Sequence, residues 1–154
     1  MKKNIYLIAC VGIFIDQITK ILSNLYLENV VLIKNFFNLT YVENTGAAWG
    51  ILDNNRIVLI GVSIIALLFI NKYINSETEF NKLTITSYGM VLGGIFGNLI
   101  DRIFRGYVVD FLNFNIFGYD FPVFNIADIL IVVGIVLMFI EVMRGNYGSK
   151  SRKK

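Results

Sequence analysis

The chain has no histidine and a single cysteine among its 154 residues, and only 16% of those residues are charged. Without histidine there is no Ser-His-Asp or Cys-His nucleophile system and no histidine-ligated metal centre. Cys10 has no disulfide partner within the chain, and it lies in an apolar run with no basic neighbour to activate a thiolate, so it reads as a small packing residue. No Walker A sequence and no internal repeat occur. The glycines of GGIFGN, residues 93–98, stand in apolar helix-like sequence without the strand, turn and acid of a dinucleotide site, and read as small residues that let helices approach closely.

Apolar residues are what the chain has in abundance, at 56% of the total. They fall into four blocks, residues 5–25, 57–74, 83–100 and 126–143, each with about the 17 to 25 residues that cross a bilayer core. The first block is longer than the roughly 7 to 15 apolar residues of a signal peptide and no small-x-small cleavage site follows it, so it is expected to be a retained helix. The expectation is a membrane protein, mainly α: one integral membrane domain over residues 1–154, built as a four-transmembrane-helix bundle.

Charge sets its orientation. Lys2 and Lys3 precede the first block, Lys72 and Lys82 flank the connection between the second and third, and Arg144, Lys150, Arg152, Lys153 and Lys154 follow the fourth. Cations mark cytoplasmic ends, which places both termini inside. The connections 26–56 and 101–124 then face outward, with Lys34, Arg56, Arg102 and Arg105 set against Glu28, Glu43, Asp53, Asp101, Asp110 and Asp120. The basic tail, residues 144–154, follows a hydrophobic helix with no folded basic domain behind it. It reads as an orientation signal attracted to anionic membrane lipid, with no nucleic-acid partner.

The first outer connection contains VVLIKNFFNLTYV, rich in β-branched and aromatic residues, followed by the turn-like ENTGAAWG. This predicts a small extracytoplasmic sheet, with Phe36, Phe37, Tyr41 and Trp49 at the depth where amphipathic rings settle. Asp53 or Asn54 is the expected cap of the second helix.

A charged carboxylate inside a predicted span is costly, about 2.5 to 3.5 kcal/mol on insertion scales, and is by default a candidate site. Asp16 and Lys20 stand at i and i+4 on one helix face and are expected to pair. Asp101 and Arg102 read as an end-of-span pair, and Asp120, after Gly118, as a solvated turn residue. Asp110 and Asp128 are different, because each is embedded in apolar sequence next to the outer surface. In contact they would share a proton, leaving one as base toward water and the other as acid toward a carbonyl. Structural acids or a proton relay for transport fit the same spacing.

Five runs carry a family resemblance: DQITK (16–20), NTGAAWG (44–50), GGIFGNLIDR (93–102), VVDF (108–111) and FNIAD (124–128). In order and spacing they resemble the signature blocks of lipoprotein signal peptidase, the bacterial type II signal peptidase. The resemblance implies a membrane-embedded aspartic endopeptidase of the bacterial cytoplasmic membrane, with its active site near the outer face, that removes the signal peptide from diacylglyceryl-modified prolipoproteins just before the lipidated cysteine. It implies Asp110 and Asp128 as the catalytic pair and places Asp16, Asn44, Gly46, Asn98, Arg102 and Asn125 where the family's site is lined or braced. Lys20 and Asp101 fall at motif positions read as structural. The outer loop matches the family's β-cradle, and globomycin-type inhibitors are implied as ligands. No cofactor or metal is expected, since two carboxyl groups supply both proton donor and acceptor. The amides of Asn44, Asn98 and Asn125 are expected to hold an extended substrate, with Arg102 at a substrate carbonyl. A small proton-coupled transporter would instead place its essential acid at mid-membrane and has no use for a long outer loop. A Ser/Lys peptidase built on Lys20 and Ser23 lacks any sequence marking a nucleophile.

Overall fold

The computed structural model describes residues 1–27, 29–77 and 80–144. The tail at 145–154, including Lys150, Arg152, Lys153 and Lys154, and the loop residue Glu28 lie outside the described residues. Four helices follow the apolar blocks: α1 (Lys2–Tyr26), α2 (Arg56–Ser76), α3 (Lys82–Phe104) and α4 (Ile126–Met143). Each is long and apolar enough to cross a membrane. Large apolar side chains such as Phe14, Phe69, Val132 and Phe139 remain exposed along α1, α2 and α4, which would be a liability in water and is the expected face toward lipid.

The third helix is the centre of the bundle, packed against α1, α2 and α4. Its glycines make this possible. A Cβ on Gly93 would stand 3.0 Å from Ala9 O of α1, and one on Gly97 would stand 2.5 Å from Asp16 Oδ2. Gly94 lies against Ala127 O of α4 with no room for a methyl group. Backbones brought this close maximise dispersion contact where lipid removes the hydrophobic advantage of burying side chains. At the end of α3 remote from the sheet, Asn81 accepts from Thr84 N at 2.9 Å and donates to the buried Glu141 of α4.

The sheet has four antiparallel strands in the order β1 (Asn29–Ile33), β2 (Phe37–Asn44), β3 (Val108–Ile116) and β4 (Tyr119–Asp120). Half of it therefore comes from the second outer connection, whereas the sequence reading placed a sheet in the first alone. The run VVDFLNFNI is as rich in β-branched and aromatic residues as its partner, and pairs with it across Val42↔Asp110 and Phe37↔Phe114. Phe124 extends this edge, donating its N–H to Leu112 O at 3.1 Å and accepting from Leu112 N at 2.8 Å. That clasp draws the start of α4 against the strand that carries Asp110.

The second helix begins at Arg56 after Asn55, and no side chain caps it. Asp53 is engaged one turn earlier, accepting from Asn54 N at 3.0 Å and from the Thr45 hydroxyl, so the expected cap instead ties down the loop. Arg56 binds the last carbonyls of α3, Nε to Arg102 O at 2.6 Å and Nη2 to Ile103 O at 2.8 Å, satisfying acceptors that a helix end leaves open.

Candidate active site

The C-terminal ends of α1 and α3, the N-terminal ends of α2 and α4 and the sheet all meet on one side of the bundle, and a cleft of about 760 Å³ opens there. Asp110 and Asp128 both line it, together with Asn44, Asn98 and Arg102. Asp110 comes from β3, where Val108, Val109 and Phe111 around it are buried. Asp128 comes from the first turn of α4, where Asn125 and Asp128 form a capping box: the Asn125 side chain accepts from Asp128 N at 3.0 Å and Asp128 Oδ2 accepts from Asn125 N at 3.2 Å.

Each oxygen of the two carboxyl groups accepts one N–H. Asn125 Nδ2 donates to Asp110 Oδ1 at 2.6 Å and Asn44 Nδ2 to Asp110 Oδ2 at 2.8 Å. Asn98 Nδ2 donates to Asp128 Oδ1 at 2.7 Å, and the Asn125 backbone completes the set at Oδ2. Three asparagines thus orient both acids without adding a charge. Burial, reinforced by the nearby Asp128 charge, pushes Asp110 up to about 7, against the pull of the Asn44 and Asn125 hydrogen bonds and of Lys20.

Asn125 is fully buried and is absent from the cleft lining. Its amide already serves Asp110 and Asn98, and its carbonyl serves Asp128. Both Nδ2 protons are thus engaged with the site's own side chains, which suits a brace for the acids better than a donor to substrate. Asn44, which does line the cleft, accepts from Gly46 N at 2.9 Å through Oδ1. Asp101 and Arg102 do not pair with each other. Successive helical residues diverge by about 100°, so Asp101 turns toward α1 while Arg102 faces the cleft, donating Nη2 to Gly46 O at 2.9 Å.

Asp16, Lys20 and Asp101 lie behind the site in a buried ion cluster. Lys20 Nζ is 2.9 Å from both Asp16 Oδ2 and Asp101 Oδ2, and Arg105 Nη1 is 2.7 Å from Asp101 Oδ1. Gln17, which the sequence reading passed over although it sits inside DQITK, donates to Asp16, to Asp101 and to Gly97 O. Asp120 is exposed in β4 and accepts from Asn115 Nδ2 at 2.6 Å. Among the described residues no three His, Cys, Asp or Glu side chains converge as metal ligands would.

The apolar wall of the cleft was not foreseen either. Trp49 meets Phe121 edge-on with centroids 6.0 Å apart, and Phe121 meets Phe124 at 5.9 Å. Below Asp128, Ile129, Val132 and Val133 of α4 continue the lining toward the membrane-facing surface. The cleft is thus polar at the acids and apolar on either side.

Membrane-length helices with a two-aspartate cleft at one end define a membrane enzyme. The chain belongs to the signal peptidase II family: the family model described as Signal peptidase (SPase) II matches residues 8–144. Two solved structures, each described as a bacterial membrane enzyme obtained by the in meso method, are similar to it. One is 34% identical with a TM-score of 0.83, covering 96% of this chain and 92% of the other. The second is 36% identical with a TM-score of 0.77, covering 88% of this chain and 90% of its own. The family is one of aspartic endopeptidases, so the chain is a multi-pass membrane aspartic protease acting on lipoprotein signal peptides.

Proposed function

We propose that the chain works as one integral membrane unit that cuts diacylglyceryl-modified prolipoproteins before the lipidated cysteine, with Asp110 and Asp128 as its catalytic pair. The observation that carries this reading is the set of four N–H donors fixing both carboxyl groups in a cleft that also has an apolar wall. Asp110, pushed up to about 7, carries the shared proton near neutral pH, and Asp128 serves as the base.

Asp128 takes a proton from a water molecule as its oxygen attacks the scissile carbonyl carbon, while Asp110 gives its proton to the carbonyl oxygen. The tetrahedral diol then collapses: Asp128 returns its proton to the leaving nitrogen, the C–N bond breaks, and Asp110 recovers a proton from the diol. Arg102, beside both acids, has N–H groups beyond the one used by Gly46 and suits a substrate carbonyl. The apolar strip Ile129, Val132 and Val133 lets acyl chains stay in lipid while the peptide reaches the acids.

Lys2, Lys3, Lys72, Lys82 and Arg144 support an orientation with these ends on the cytoplasmic side of a bacterial cytoplasmic membrane and the cleft at the outer face. Globomycin-type inhibitors would compete for the cleft. The deciding experiment offers purified protein a diacylglyceryl-modified lipobox peptide and its unlipidated counterpart. Cleavage of the first alone is expected, and equal cleavage of both, or of neither, would overturn the reading.

A further inference from the structure

Lys20 is fully buried and lines no part of the cleft, yet its ammonium reaches three groups at 2.9 Å: Asp16 Oδ2, Asp101 Oδ2 and Asn98 Oδ1. An ammonium has three protons, one for each. Every one of these partners ends on a dyad acid or on the residue just before it. Asp16 Oδ1 accepts from Ala127 N at 2.9 Å, next to Asp128. Asp101 Oδ2 accepts from Val109 N at 3.2 Å, next to Asp110. Asn98 donates Nδ2 to Asp128 Oδ1 at 2.7 Å.

We infer that Lys20 is a positioning residue for the dyad, a single buried ammonium that ties α1 and α3 to the backbones of β3 and α4 and fixes the direction of the Asn98 amide. By occupying Asn98 Oδ1 it leaves only the Nδ2 end for Asp128. With Lys20 gone, Asn125 Nδ2 at 3.1 Å is the one donor left on that carbonyl among the described residues. A turned amide would then present oxygen to a carboxylate. An ion pair that merely stabilised the bundle would touch Asp16 and Asp101 and leave Asn98 to other partners.

The inference deepens the proposed function, on which its activity arm rests; a second arm needs no substrate. The charged groups around Asp110 are Asp128 of α4, Asp16 and Lys20 of α1, Asp101, Arg102 and Arg105 at the end of α3, and Glu43 and Asp53 on the rim. Of these, Lys20 acts to favour the ionised carboxylate of Asp110. Its removal therefore moves the Asp110 titration upward.

The test compares full-length wild type and Lys20→Met in detergent by single-turnover cleavage of the lipidated lipobox peptide, by melting temperature and by carboxyl carbon NMR of Asp110 across pH. The expected result is a maximal rate down by about 100-fold with KM changed less than about twofold, the size of a small misplacement of reacting groups. The Asp110 midpoint rises by at least about half a pH unit. A lower melting temperature with unchanged rate per folded molecule and an unmoved midpoint would overturn the inference. If Lys20→Met does not fold, the charge-balanced Asp16→Asn/Lys20→Met is compared with Asp16→Asn. The double variant is expected to be at least about 10-fold slower, and equal rates would overturn the inference. If wild type cuts nothing, the proposed function fails, and the side-chain amide NMR signals of Asn98 decide the role of Lys20: signals unmoved in Lys20→Met would overturn the inference.

Discussion

Asn125 and Asp128 cap one another, the side chain of each bonded to the backbone N–H of the other at 3.0 and 3.2 Å. A cap of this kind normally serves only the helix end. Here the same Asn125 side chain also donates to Asp110 at 2.6 Å, so the device that starts α4 sets the relation between the two acids.

Replacing either acid by its amide keeps shape and removes a titrating group. Asp110→Asn and Asp128→Asn are each expected to insert and fold while cleavage falls by about 100-fold to 10 000-fold, the usual weight of general acid-base catalysis. The check is turnover of the lipidated peptide per folded molecule. Near wild-type turnover in either variant would remove that residue from the dyad.

The raised position of Asp110 has a consequence for stability. The unfolded chain ionises this group near 3.8 and the folded protein near 7, so the fold favours the protonated form. Its contribution is complete below about 4 and is lost as pH rises toward 7, by roughly 4 kcal/mol at most. Melting curves of wild type and Asp110→Asn from pH 4 to 8 are therefore expected to diverge, the variant gaining on wild type as pH rises. Parallel curves would show that burial does not penalise the ionised Asp110.

Gly97 lets the carboxylate of Asp16 rest against α3, since a Cβ there would stand 2.5 Å from Oδ2. Gly97→Ala must push Asp16 away from Lys20 and from Ala127 N, which loosens the buried pair. A loss of about 1 to 3 kcal/mol is expected from such overpacking. Cleavage should drop with it, because Ala127 precedes Asp128. Unchanged melting and rate would mean that α1 and α3 separate at no cost.

Much of this was legible because membrane helices declare themselves by length, and the acids stand out against apolar sequence. The apolar block places Asp128 at the start of α4, and the N-x-x-D spacing of Asn125 and Asp128 is itself a cap signal. The strand under Asp110 is hard to read from sequence because its buried run, VVDF, does not alternate. Lys20 offered Asp16 as an adjacent partner, so nothing local pointed to Asn98 or Asp101, which only the packing of α1 on α3 brings to it. Asn125 as a brace was hidden for the same reason.

Inhibitor class separates this mechanism from nucleophile and metal chemistry. Reagents for serine or cysteine nucleophiles and metal chelators are expected to leave cleavage unchanged, while globomycin-type cyclic peptides compete with substrate. Cys10 is exposed on α1, in the first apolar block and absent from the cleft lining, so Cys10→Ala should be silent. Loss of activity with a chelator and its return with added metal would overturn the cofactor-free mechanism.

Proton sharing predicts the pH profile. On the proposed mechanism the pair works only while singly protonated, so the rate rises as the first proton leaves and falls as the second does, with constants that belong to the pair. Asp110 near 7 sets the falling limb, because burial and the neighbouring carboxylate both oppose a second charge. Activity is therefore expected to hold through mildly acidic pH and to decline as pH passes about 7, where many soluble aspartic proteases are already inactive. Single-turnover cleavage from pH 4 to 9, with folding checked at each point, measures it. Activity confined to strongly acidic conditions would mean that Asp110 ionises as an ordinary carboxyl group, and a flat profile would mean that no shared proton takes part in the chemical step.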